Sequence, residues 1–374
     1  MSITQSYEEA LEGVVREAVE PNAADADAGR FPRPSLDALG RAGLLGLISS
    51  EEVGGAGRGF GEAAATVERV ARSCASTALV LTMHYCATAV IEQHGDLETR
   101  RAIAAGRHLG TLAFSEVGSR SQFWAPMSTA TADGDVVRLD ARKSWVTSAG
   151  EADSYVWSSR PIAAEGLSTL WLVRRDTPGL EVTGGFDGLG LRGNGSRPMA
   201  AAGLAVPPDA RLGPDGAGFE LMMGTVLPWF QVLTAAASVG VMEAAVERTA
   251  AYAGATRFEH LGLALAEQPV TRAHVARMRI ATDQARSLLL DTVAALEQGR
   301  AEAQLRVLEV KAAAAEAALT VTDLAMRVCG GAAYRREVGV ERLFRDARAA
   351  TVMAPTTDAL HDFIGKAVCG LPLF

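Results

Sequence analysis

The chain has 374 residues, 48% of them hydrophobic and 21% charged, with a formal charge of −8 at pH 7; it is too long for one ordinary core and offers no basic field to nucleic acid or an anionic membrane. Its four cysteines, Cys74, Cys86, Cys329 and Cys369, form neither CxxC pairs nor a metal spacing, so reduced cytosolic thiols are expected. The start MSITQSYEEALEGVV lacks the basic head and apolar core of a signal peptide, and no uninterrupted apolar run reaches membrane-spanning length, so a cytoplasmic protein is expected.

From Ser6 to about Arg107 apolar residues recur at three and four, as in SLDALGRAGLLGL, and EAAATVERVARSCASTALVLTMHYCATAVIEQ predicts long buried helices. From about Gly110 to Pro208 the period becomes two, with DVVRLDARKSWVT, SYVWSS and STLWLVRR separated by turns such as ADGD and DTPGL. After Gly218, Ala-rich helical stretches return: VLPWFQVLTAAASVGVMEAAVERTAAYAGA, TRAHVARMRIATDQARSLLLDTVAALEQ and RVLEVKAAAAEAALTVTDLAMRVCGG. Near the end, RDARAATVMAPTTDAL reads as one helix ending, a break at Pro355, and another beginning. The expected fold is α+β and mainly α, with an N-terminal helical domain (1–109), a small middle β domain (110–210) and a C-terminal four-helix bundle (211–374).

Two dinucleotide-type spacings occur, GLGLRG at 188–193 and GFGEAA at 59–64, but neither sits between a strand and a helix of a parallel βαβ unit. The six histidines show no HExxH and no partner at helical spacing, so no metal site is expected.

Taken in order, LGRAGLLGLISSEEVGGAG, FSEVGSRSQ, KSWVTSAGEADSYV, DTPGLEV, LGLRGNGSR, LGPDGAGFELMM, CGGAAY and ERLFRDAR resemble the acyl-CoA dehydrogenase superfamily from about residue 30 to the C-terminus. The resemblance implies FAD, or FMN if the site has diverged, bound between the β domain and the bundle of a homodimer or homotetramer. It implies a small-molecule or thioester substrate, and an electron-transfer partner or a flavin reductase. The family's flavin-facing backbone and hydroxyl fall on Phe114 and Ser115. Trp145 and Thr147 match the element whose Trp packs on the isoalloxazine and whose Thr faces N5, though Trp145 also suits an ordinary strand core. Gly330 and Gly331 match the glycine pair near the neighbour's FAD, with Arg327 and Ala333 departing from the pattern. Arg257 and Phe258 stand in for the family's Arg-x-x-Phe, and Thr356 follows the break as a further cofactor contact.

The usual catalytic glutamate aligns with Ala354, and the alternative position used by some relatives falls on Phe230. The contacts to coenzyme A fall on Pro228 and Gln231, leaving Ser121 as the surviving hydroxyl. Phe123, Trp229, Phe230, Gln231, Met353 and Ala354 are expected with Ser121 around the substrate. The aromatics among them suit a flat or apolar group or simple core packing. His84 is the catalytic candidate for the vacant role, with Glu116 and Asp358 as other replacement bases. Three functions stay open: α,β-dehydrogenation of a CoA or carrier-protein thioester with a non-standard base, an O₂-using flavin monooxygenase or oxidase, and a non-catalytic flavin-binding protein.

Overall fold

A computed structural model describes residues 3–119 and 122–373. The N-terminal region holds α1 (Ile3–Val14), α2 (Glu20–Asp27), α3 (Arg33–Arg41), α4 (Phe60–Ser73), α5 (Ala75–His94) and α6 (Leu97–Ala104). α5 is apolar on every side and buried along nearly its whole length, as expected of a helix enclosed by protein.

The β region begins with β1 (Gly110–Ala113), β2 (Thr129–Asp133), β3 (Val136–Val146) and β4 (Ser154–Ser159). It continues with β5 (Thr169–Arg174), β6 (Leu180–Val182), β7 (Arg197–Val206) and β8 (Arg211–Leu212). One sheet runs β1-β4-β5-β8 with β1 and β4 parallel; the other runs β2-β3-β7-β6, antiparallel throughout. β3 buries alternate residues because only one of its faces meets the core. β4 and β5 are buried on both faces. Tyr155, Trp157, Trp171 and Val173 join the core shared with Val137, Leu139 and Ala141, while Val156, Leu170 and Leu172 pack with Cys86, Val90 and Ile91 of α5. The β sheet is thereby wedged between a second sheet and a helix, and this fixes the domain junction where the site lies.

The C-terminal region starts with α7 (Gly218–Leu221), which passes through a π-turn at Met222–Val226 into α8 (Leu227–Ala255). A short hairpin, β9 (Arg257–Phe258) with β10 (Leu263–Ala264), leads to α9 (Pro269–Glu297) and α10 (Ala303–Cys329). Then come α11 (Val340–Ala347), α12 (Ala349–Val352) and α13 (Thr357–Val368). α8, α9, α10 and α13 make the bundle, with α10 against the other three and α8 also against α4 and α5. The helical run Gly218–Ala255 is in fact long and apolar enough to cross a membrane by composition, contrary to the sequence expectation. It packs instead as a core helix, with 78% of its most apolar window buried.

Candidate functional site

A cavity of about 670 Å³ opens where the three regions meet, within the size range of small-molecule and cofactor sites. From the β region come Leu112, Phe114, Ser115, Phe123, Trp145, Thr147, Asn194 and Ser196; from the helices come Leu79, Met83, Val226, Leu227, Phe230, Arg348, Met353 and Ala354. The expected residues Phe114, Ser115, Trp145, Thr147, Phe123, Phe230, Met353 and Ala354 therefore converge on one space, although 240 positions separate the first from the last. Ser121 lies outside the described residues.

Trp145 sits where β3 loses its regular pairing with β7, has φ 55°, and leaves its indole 69% exposed. Positive φ is costly for a residue with a β-carbon, and here it accompanies an aromatic face turned to open space. Thr147 is buried, its Oγ1 3.1 Å from Ser196 Oγ. Asn194 accepts the Ser196 N–H on Oδ1 at 2.9 Å. An uncovered indole, apolar walls and a few hydroxyl, amide and backbone groups fit a planar heterocycle such as isoalloxazine, which needs both a stacking face and hydrogen-bond partners at its edge.

The loop 188–191 closes one side of the cavity. A β-carbon on Gly190 would lie 2.3 Å from the Arg345 carbonyl oxygen, so only glycine permits this approach. Leu191 N–H donates to Asp346 Oδ1 at 2.6 Å, while Arg345 is held by Asp27 and Glu341 at 2.6–2.9 Å. Burial pushes the Asp346 carboxyl up to about 6 against the pull of the Leu191 N–H and the nearby arginines. The GLGLRG spacing is thus a backbone brace for the cavity.

The titratable side chains on the described lining are Glu116, Arg345 and Arg348. Glu116 is occupied: Lys143 Nζ donates to Oε1 at 2.5 Å, Ser128 Oγ donates to Oε1 at 2.6 Å, and the Met127 and Ser128 N–H groups donate to Oε2 at 2.7 and 3.1 Å. Burial raises its pKa, but the Lys143 charge and these donors outweigh it and hold the carboxyl below its ordinary value. Glu116 ties Met127, Ser128 and Lys143 together and is no free base. Asp358, in the first turn of α13, is exposed and off the lining.

His84 requires the clearest correction. It is fully buried and absent from the lining, with Nδ1 accepting the Gly110 N–H at 3.1 Å and Nε2 2.9 Å from the Leu45 carbonyl, which makes Nε2 the protonated nitrogen. Burial pushes its pKa down to about 4. The imidazole is a neutral tie between α5, β1 and the turn after α3. His84→Ala is expected to lower unfolding free energy by roughly 2–4 kcal/mol, for two unpaired backbone groups, with turnover per folded molecule unchanged. Urea unfolding beside a turnover assay checks both.

Other expected residues also lie elsewhere. Trp229 is half-buried and stacks on Phe60, with ring centroids 4.0 Å apart, so it fastens α8 to α4 rather than lining the cavity. Gln231 is fully buried off the lining, and neither carboxamide atom has a partner among the described residues. Thr356 caps α13, its Oγ1 accepting the Ala359 N–H at 3.3 Å. Arg257 is exposed on the β9–β10 hairpin and donates to the Gly262 carbonyl at 2.8 Å, and Phe258 is half-buried beside His260. Gly330 and Gly331 are exposed at the end of α10 with open space where β-carbons would stand, and Gly330 has φ +57°. Sequence reasoning missed Leu79, Met83, Asn194, Ser196 and Arg348 as lining; the NGS of LRGNGSR was the available signal for two of them.

Comparison with known proteins agrees with this fold along most of the chain. Residues 4–106 match the family described as acyl-CoA dehydrogenase, N-terminal domain; 111–202 match its middle domain and 216–369 its C-terminal domain. The chain is similar to the mitochondrial short-chain specific acyl-CoA dehydrogenase of Bos taurus, 31% identical over 88% of this chain and 81% of that one. It is 27% identical to a probable acyl-CoA dehydrogenase of Bacillus subtilis over 92% of each. Butyryl-CoA dehydrogenase from Megasphaera elsdenii superposes with a TM-score of 0.91 at 23% identity, covering 99% of this chain and 98% of that one.

Proposed function

The chain belongs to the acyl-CoA dehydrogenase family, and from that premise we propose that it is an FAD-dependent oxidoreductase of an apolar acyl group carried as a thioester, working without a carboxylate base in its cavity. The observation that carries this reading is the lining: apolar walls around an uncovered Trp145, with Ala354 and Phe230, the two positions onto which the family resemblance maps a glutamate, both on it as non-acidic residues. When bound, FAD supplies a two-electron acceptor. Trp145 and Phe114 would hold its ring system, and Ser115 and Thr147 would offer hydrogen bonds to its polar edge. Phe123, Phe230, Met353 and Ala354 hold the acyl group against it and keep water out. Gly330, Gly331, Arg257 and Phe258 lie outside the cavity; by the family resemblance they would meet the adenine end of FAD in a second copy of a homo-oligomer. An electron-transfer protein or flavin reductase completes the cycle, and the buried free thiols Cys74, Cys86 and Cys329 suit a cytoplasmic setting.

The same lining favours a second reading. With no free carboxylate or histidine among the described lining residues, an O₂-using monooxygenase or oxidase, which needs no α-proton base, suits the cavity equally well in chemistry. The deciding experiment mixes FAD-loaded protein anaerobically with acyl-CoA and acyl-carrier thioesters while following flavin absorbance. Bleaching is the expected result for the first reading. A flavin that stays oxidised with every thioester overturns it, and a substrate-dependent oxygenated product on exposing reduced enzyme to air would install the second.

A further inference from the structure

Behind the wall that carries Ala354 stands a buried cation. Lys311 lies on α10 in LEVKAAAAE and is fully buried. Its Nζ donates to the carbonyls of Met353 at 2.9 Å and Pro355 at 2.6 Å, one on each side of Ala354, and lies 5.8 Å from the centroid of the Phe230 ring. One ammonium thus reaches both the 353–355 segment and Phe230, two parts of the cavity lining that are far apart in the chain. A buried ammonium with no carboxylate partner is expensive to keep, and in a helix otherwise packed with alanine an apolar residue would serve packing better.

We propose that Lys311 is the positioning residue of the substrate-facing wall, fixing the Met353 and Pro355 carbonyls and so setting where Met353 and Ala354 stand against Phe230. The inference rests on the cavity being the substrate site, as proposed above. The ammonium neutralises the dipoles of two carbonyls that the break in the helix leaves without amide partners, and its remaining hydrogen can face the aromatic ring.

Burial alone pushes Lys311 down to about 7, so near neutral pH it passes between an ammonium with charge-assisted bonds and an amine with weaker ones. Most charged groups on the packed elements are paired with one another. On α13, Lys366 pairs with Asp362, Asp358 is exposed, and His361 lies 3.5 Å from Glu316 of α10. Glu309 pairs with Arg306 along α10, and Glu243 of α8 with Arg279 and Arg286 of α9. On α11 Asp346 accepts from Leu191, and Arg348 stands at the cavity.

The test needs no turnover, so its failure is distinguishable from failure of the functional reading. In the full chain carrying FAD and Cys369→Ser, which removes the exposed thiol, Ala354→Cys is titrated with a disulfide thiol reagent from pH 5.5 to 9. With Lys311 present, reactivity is expected to rise by about fivefold near pH 7 beyond the thiol's own ionisation, the difference between a charge-assisted and a neutral hydrogen bond. With Lys311→Met that step should vanish, leaving a single rise set by the thiol's own ionisation, at rates above those of the Lys311 protein on the acid side. Lys311→Gln replaces it if the Met variant does not fold. Superimposable pH curves with and without the lysine overturn the proposal, as does a single thiol ionisation in the Lys311 protein.

Discussion

Replacing Ala354 by glutamate is expected to raise the rate at which an acyl thioester bleaches the bound flavin by roughly 10² to 10⁴, the usual contribution of a positioned general base. Ala354 lines the cavity between two carbonyls held by Lys311, so a longer side chain there projects from a wall already braced. Apolar surroundings will raise the new carboxyl's pKa toward neutrality, and the Lys311 charge will keep it from staying protonated. The measurement is anaerobic stopped-flow absorbance with the thioester panel, comparing Ala354→Glu with the shape-matched Ala354→Gln. A gain confined to the glutamate variant supports a thioester seated against this wall. Equal rates in the two variants, at full FAD loading, would mean that the acyl α-carbon is not held there and would count against the thioester reading.

The second large effect concerns stability. Lys143→Met is expected to cost about 3–5 kcal/mol in unfolding free energy, because it strands the Glu116 carboxylate in the floor of the cavity. Both side chains are almost wholly buried, and Lys143 Nζ also donates to the Ser158 carbonyl and hydroxyl at 2.7 and 2.9 Å. The sign of the pH dependence follows from Glu116, whose folded pKa is held below the ordinary carboxylate value by the Lys143 charge and its hydrogen-bond donors. Its contribution is fully present above that value and is lost as pH falls through the folded pKa. The penalty of Lys143→Met should therefore be largest at neutral pH and shrink toward acid, as protonation removes the stranded charge. Adding Glu116→Gln should recover much of the loss. Urea titrations of the two variants at pH 7 and pH 4 measure this, and a pH-independent penalty would point to lost packing instead of an unpaired charge.

Much of the fold was legible in the sequence because its signals are local. The all-round apolar run of α5, the period-two strands β3 to β5 and the break at Pro355 each follow from neighbouring residues. Several site residues were legible for another reason: Phe114, Ser115, Trp145 and Thr147 sit in short ordered segments whose spacing along the chain is itself the signal. What misled were residues whose chemistry depends on a distant partner. His84 has the right element type to stand near a flavin, but Leu45 and Gly110 consume both of its nitrogens. Trp229 follows the helical pattern of a lining residue, yet Phe60 takes its face.

By itself the sequence carried the family resemblance, the order of helical, β and helical regions, and the presence of Ala354 and Phe230 where that resemblance leads one to look for a carboxylate. Periodicity, punctuation and residue identity settle such things within a few turns of chain. Only the tertiary structure decided which polar groups are free to react. Glu116 is taken by Lys143, Arg345 by Asp27 across 318 positions, and the 353–355 wall by Lys311. Whether a titratable group is buried, paired or open depends on which remote segment packs against it, and no local pattern carries that information.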